Sequence, residues 1–297
     1  MASRDLILTT LHRVSFESVA AFLLSLKRTG YSGQVVAFVS AMEEESVARL
    51  RSSGISIEPF RFHGRGVRQR LARPWGLWRG VFASGLSPAM KERLAHLVFH
   101  LFYRRHLLYL QYLRRHGAEY DRVFLTDCRD VYFQTDPFSW EPERGVHFFL
   151  EETPNKIGQC PHNRRWISSQ FGREMLDQLK DETVSCAGTT FGDIASLSEY
   201  LSLMVSVSMK ALSLKEHDGD QGIHNFILKT QQLRSKVIVH DNREGPVMTL
   251  GVMRMADVRF NAQGLVVNAA GQVVPVLHQY DRIPELKSLL LDGLHRR

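Results

Sequence analysis

Cysteine is scarce in this 297-residue chain. There are three, Cys128, Cys160 and Cys186, far apart and odd in number. That argues against a disulfide framework or a four-thiolate zinc site and fits a reducing compartment. Long hydrophobic runs are missing too. The most apolar region, residues 94–113, is interrupted by His96, His100, Arg104, Arg105 and His106, which speaks against a spanning helix. The opening MASRDLILTTLHRVSF has too short an apolar core for a secretory signal. These absences predict a soluble, cytoplasmic protein, with peripheral attachment at a membrane surface left open. There is no internal repeat, no low-complexity segment and no long uninterrupted basic run. The densest basic patch is Arg65, Arg68, Arg70, Arg73 and Arg79, and no recognisable nucleic-acid module accompanies it. A net charge of +7 and a pI of 9.4 are compatible with an anionic ligand, a nucleic acid or an acidic membrane, and choose none of them.

What is present is a generous apolar fraction, 44% hydrophobic, enough for a large buried core. LILTT (6–10), QVVAFVS (34–40), RVFLTD (122–127) and VHFFLEE (146–152) are short apolar runs closed by polar residues. Runs of this kind suit strands buried on both faces of a largely parallel sheet. FESVAAFLLSLKRTGYSG has helical spacing and ends in Gly30 and Gly33; a second helix over about 43–52 precedes a strand-like ISIEPFRF. This βαβαβ opening predicts an α/β fold of the doubly wound kind. Residues 64–90, rich in Arg, Gly and Trp, show no clean period, and Trp75 and Trp78 there suit either sugar stacking or anchorage to the core. Helices are expected over about 88–116, 164–179, 193–212 and 221–229, and a β-rich stretch from VIVHD to VVPVLHQYD closes the chain.

The chemistry concentrates in VFLTDCRDVYFQTDPF (123–138). Ligands of open α/β sheets collect at the carboxyl ends of strands, which is where Asp127 falls. A turn after Asp127 would bring Asp130 back beside it, and two converging carboxylates suit a hard divalent cation, Mg2+ or Mn2+. The plainer alternative has Asp127 capping a turn and Asp130 paired with Arg129. Asp220 and Gln221 open a helix, either as a cap at Asp220 or as contacts to substrate. Glu151 and Glu152 close the next strand as candidate general bases or as solvated acids. Arg104 and Arg105, on the helix before the Asp strand, could bind phosphate oxygens or line a solvated helix face.

In this order the segments resemble nucleotide-sugar glycosyltransferases of the GT-A type, notably families similar to glycogenin and the bacterial lipopolysaccharide galactosyltransferases. VFLTDCRDVYFQTDPF looks like the strand ending in an Asp-x-Asp motif, with one extra residue between the acids. SCAGTTFG (185–192), with Gly188 and Thr189, resembles the segment facing donor sugar and acceptor. DGDQGIHNFIL (218–228) is similar to the Asp-Gln segment, and VLHQYDR (276–282) to the strand whose histidine, here His278, completes the metal site. The resemblance implies a single GT-A-like domain, with a nucleotide-binding half over 1–150 and an acceptor half over 151–297. It implies a metal held by Asp127, Asp130 and His278, and a base and ribose near Thr9, Thr10 and Leu11. The expected reaction is transfer of a sugar from a nucleoside-diphosphate donor to a hydroxyl of a glycan or glycoconjugate, as in polysaccharide biosynthesis. The Asp-Gln likeness leans toward retention of configuration. A nucleotidyltransferase is the competing enzyme class, and LILTTLHRVSF lacks the Gly- and Lys-rich loop it would favour. A non-catalytic binding domain is the third reading.

Overall fold

The computed structural model describes residues 4–62, 70–72, 74–214 and 219–295. Arg65, Arg68, Arg73 and Asp218, named above, lie outside the described residues. The core is a seven-stranded sheet. Its first half comprises β1 (Asp5–His12), β2 (Gln34–Ser40), β3 (Ser56–Pro59) and β4 (Arg122–Thr126), all mutually parallel; β5 (Val131–Phe133) belongs to a smaller sheet. The second half comprises β6 (Val146–Leu150), β7 (Ser185–Asp193) and β8 (Val237–His240). The spatial order is β3-β2-β1-β4-β7-β6-β8, and β7 is antiparallel to both its neighbours. The chain therefore winds outward from β1 to β3, then crosses back to lay β4 on the other side of β1. That reversal opens a crevice at the carboxyl ends of β1 and β4, where ligands of such sheets bind.

The apolar runs read correctly because both sheet faces are covered. Leu6 and Leu8 of β1 and Val123 and Leu125 of β4 join one apolar cluster, while Ile7 and Phe124 between them join the other. Alternate strand residues point to opposite faces, so both sets must be apolar. Helix α1 (Ala20–Arg28), preceded by a short 3-10 turn, and α2 (Glu44–Ser52) flank the first half.

The next helices depart from expectation. Within the stretch expected to be irregular, Trp75–Ala83 forms α3; Trp75, Trp78 and Phe82 share one face at helical spacing, a signal diluted by Gly76 and Gly80. Trp75 is an anchor: its Nε1 donates to Ala211 O at 2.8 Å. The expected long helix is two, α4 (Pro88–Val98) and α5 (Leu101–His116), because Phe99 turns extended and buries its ring among Trp75, Phe82 and Tyr103. Likewise α6 (Pro161–Phe171) and α7 (Arg173–Leu179) are separated by Gly172 at φ 91°. Helix α8 (Ile194–Lys210) is capped by Asp193, whose carboxylate accepts from the Ala195 and Ser196 amides, and α9 (Asp220–Lys229) follows.

The carboxyl-terminal region holds β9 (Val247–Thr249), the ribbon β10 (Arg259–Phe260) and β11 (Val266–Val267), and β12 (Val276–His278). Sequence patterning missed the closing helix α10 (Pro284–His295), although Leu286, Leu290 and Leu294 are spaced to bury one face. The pairing that matters most is in the small sheet β5-β12-β9. There β12 runs antiparallel to β5, with His278 opposite Val131. A residue near the carboxyl terminus is thereby laid directly against the end of the Asp127–Asp130 turn.

Candidate metal centre

Between β4 and β5 the backbone bends over Asp127 to Asp130. Cys128 points into the apolar cluster behind the sheet, and burial pushes its thiol up to about 12. Arg129 is exposed, and the two acids converge on one side. The extra residue relative to Asp-x-Asp is thus absorbed by a bend pivoting on the buried cysteine. Asp127, Asp130 and His278 each offer one ligand atom, all within 4.8 Å of one another.

His278 is fully buried. Its Nδ1 lies 3.4 Å from Thr249 Oγ1, while its Nε2 has no hydrogen-bond partner. That nitrogen faces Asp127 Oδ2 at 3.9 Å and Asp130 Oδ1 at 4.0 Å. These gaps are too long for hydrogen bonds. They approach the roughly 4.2 Å that two metal–ligand bonds of about 2.1 Å can span. The donor set, two hard oxygens and one imidazole nitrogen, fits a divalent cation. Two further features leave the space open. Gly188 of β7 donates no side chain to it: a Cβ there would stand 2.6 Å from His278 Nε2 and 2.8 Å from Asp127 Oδ2. Gln279, in the left-handed region at φ 54°, turns the chain after His278, and its amide donates to Asp130 O at 2.7 Å. Backbone strain of this kind is characteristic of functional sites. Burial raises the pKa of Asp130; His278 opposes that and Asp127 adds to it.

Behind this trio stands Arg105, on α5. It donates to Asp127 Oδ1, to Ala187 O at 3.2 Å, and through Nε to Asp220 Oδ2 at 2.9 Å. Burial works against its charge, but Asp220 and then Asp127 outweigh it and hold the guanidinium pKa above its usual value. Asp220 also meets His106 Nε2 at 2.9 Å. Burial opposes ionisation of Asp220, and Arg105 with His106 overcomes it, lowering the carboxyl to about 2. Asp220 is therefore not a helix cap. Gly219 occupies the cap position, and the Asp220 side chain turns inward because a buried arginine and histidine wait for it.

Asp127 and Asp130 line a cavity of about 460 Å³, with His278 buried behind them. Its walls include Arg105, Asp127, Asp130, Gly188, Asp220 and Gln221, together with Trp166 and the arginines Arg129, Arg165 and Arg282. Gln221 is tied down at both ends, accepting from the Ala187 amide at 3.3 Å and donating to Asn163 Oδ1 at 3.1 Å. Several expected residues are absent from these walls. Arg104 turns away from the site, donating to His96 O at 2.6 Å with its guanidinium near the Phe60 and Phe62 rings. Glu152 is bound by Arg243 and Asn242, and the buried Glu151 accepts from Asn155 Nδ2. Burial raises the Glu151 pKa. Thr9 and Leu11 are buried in the sheet, Thr10 donates to Tyr109 OH at 2.9 Å, and Thr189 is buried beside Gly188.

Sequence reasoning missed Trp166, Arg129, Arg165 and Arg282, because no local pattern marks a residue that only the tertiary fold brings to a cavity wall. No family model matches this sequence, and no curated protein shows significant similarity to it.

Proposed function

We propose that this protein is a metal-dependent glycosyltransferase of the GT-A type, acting on a nucleoside-diphosphate sugar. One observation carries the reading: Asp127, Asp130 and the unpartnered Nε2 of His278 converge beside the β1/β4 crossover, and the two acids line a cavity that also carries Arg129, Arg165 and Arg282. A divalent cation there would neutralise charge developing on a leaving diphosphate. Mn2+ or Mg2+ suits the oxygen-rich donor set.

The chain's own residues then divide the remaining work. Arg105 fixes Asp127 Oδ1 so that Oδ2 faces His278, and Thr249 orients the imidazole from its other nitrogen. Arg129, Arg165 and Arg282 offer guanidinium groups to phosphate oxygens. Asp220, held at about 2, stays an anion at any working pH. Such a group is a weak proton acceptor, so its contribution to a reacting sugar is charge rather than general-base catalysis. Glu151 and Glu152 do not line the cavity, and neither is assigned the base. The acceptor is a hydroxyl of a glycan or glycoconjugate.

The test is thermal unfolding in the presence of sugar nucleotides, with and without manganese. A donor at a hundredfold its Kd stabilises the folded state by about 2.7 kcal/mol, or about 4 °C in a chain of this length. The shift should require manganese and should vanish in Asp127→Asn, Asp130→Asn and His278→Ala. A manganese-independent shift, or one that survives all three substitutions, would remove the reading.

A further inference from the structure

Charge is unevenly spread along this chain. Residues 61–103 hold eight of the 38 lysines and arginines but one of the 31 acids, so this stretch carries +7 and the remainder is neutral. The one acid, Glu92, is already paired with Arg114. Exposed apolar side chains gather in the same place. Of the eleven large ones found exposed among the described residues, six lie between Leu71 and Phe102.

The helices of this region are two-faced. On α3, Trp75, Trp78 and Phe82 pack inward, while Leu77 projects from the opposite side and is 72% exposed. On α4, Glu92 and His96 face α5 through Arg114 and Gln111. Met90 and Leu97, seven residues apart, line the opposite side with Arg93 between them, and all three are exposed. Leu86 is exposed in the turn joining the two helices, and Phe102, 43% exposed at the start of α5, also lines the lip of the cavity.

We propose that the α3–α4 face docks on an anionic lipid bilayer, with Leu77, Leu86, Met90 and Leu97 entering the headgroup layer and Arg70, Lys91 and Arg93 meeting lipid phosphates. A nucleic acid would satisfy the charge but offers no apolar layer for the leucines. A protein partner offers apolar surface without asking for positive charge spread across the whole face. A bilayer rich in anionic lipid asks for both. No helix among the described residues is long and apolar enough to cross the bilayer, so attachment is at its surface. Since Phe102 belongs both to this apolar set and to the cavity lip, docking turns the cavity mouth toward the membrane. If the glycosyltransferase reading holds, its acceptor is then lipid-borne; the docking itself does not depend on that reading.

Vesicle flotation of the full chain, without metal or sugar nucleotide, tests this. The protein should float with vesicles containing phosphatidylglycerol and not with pure phosphatidylcholine. Salt near 1 M, where screening shortens to about 3 Å, should release much of it. Arg70→Gln with Arg93→Gln should lower partitioning by about fivefold per residue, and Leu77→Ser with Met90→Ser should lower it while circular dichroism stays native. Equal flotation with both lipids, no flotation, variants that float like the parent, or displacement by a generic RNA would each overturn the proposal. Manganese-dependent donor binding in solution, measured on the same preparation, reports on the transferase reading separately.

Discussion

Asp220→Asn separates a helix cap from a buried ion pair. At a cap the substitution is nearly neutral, because Asn and Asp serve equally well there. In this structure Asp220 sits inside α9 with its carboxylate against Arg105 and His106. Its carboxyl falls from an ordinary 3.8 to about 2, so ionisation contributes about 2.4 kcal/mol to folding at neutral pH. Asn keeps the volume and an acceptor but not the charge, and Arg105 is left with Asp127 as its remaining carboxylate. Breaking a buried pair from one side costs about 3–5 kcal/mol, so the expected loss is between these figures. The melting temperature should drop by about 4 °C or more. The sign of the pH dependence follows from the lowered pKa: the contribution is complete above 3.8 and disappears as pH falls through about 2. Between pH 7 and 9, where the neighbouring His106 is neutral, the gap between parent and variant should therefore stay constant. Urea unfolding at two pH values in that window measures it. In a double-mutant cycle with Arg105→Met, the two substitutions should couple by 1 kcal/mol or more. Equal stability of Asp220→Asn and parent would refute the ion-pair assignment.

Three further outcomes follow from the same geometry. Gly188→Ala should lower manganese affinity by at least tenfold by calorimetric titration, since its Cβ would enter the space facing His278 Nε2; Gly80→Ala, which meets nothing within 4 Å, serves as a control that leaves affinity unchanged. Burial lowers His224 to about 3, between Ser185 and Tyr200, so it folds neutral. Its stabilisation is complete above pH 6.5 and is lost as pH falls from there toward about 3, at about 1.4 kcal/mol per pH unit; the unfolding free energy of His224→Gln should fall less between pH 7 and 5 than that of the parent. Iodoacetamide should leave Cys128 unmodified in the folded protein, given its burial and raised pKa, and peptide mapping showing rapid alkylation there would contradict the packing.

The sheet was legible because a strand covered on both faces leaves a contiguous apolar signature, and QVVAFVS carries one end to end. The Asp127–Asp130 turn was legible for the same reason: an apolar run that stops in two acids marks a strand's carboxyl end. Helix breaks were less so. Phe99 interrupts a helix because its ring has a slot among other aromatics, and no local propensity encodes that slot. Cap and inward-facing acid were indistinguishable at Asp220 because its partners lie on α5, far away in sequence, whereas Asp193 is a cap with local partners. Which neighbouring arginine faces the site, Arg105 rather than Arg104, is settled by helix rotation against the sheet, a tertiary quantity.

The antiparallel pairing of β12 with β5 also has a bearing on how the chain folds. The two acids and the imidazole are separated by about half of the chain, and the strand delivering His278 is near its end. Closing so long a loop costs entropy before any contact returns it, so the centre forms late. Metal should then bind weakly to partly folded chains and tightly to completed ones, making the ion a reporter of finished folding and a selective brake on unfolding. A chain truncated before β12 would keep both acids and β1 through β8 yet lose this signal altogether.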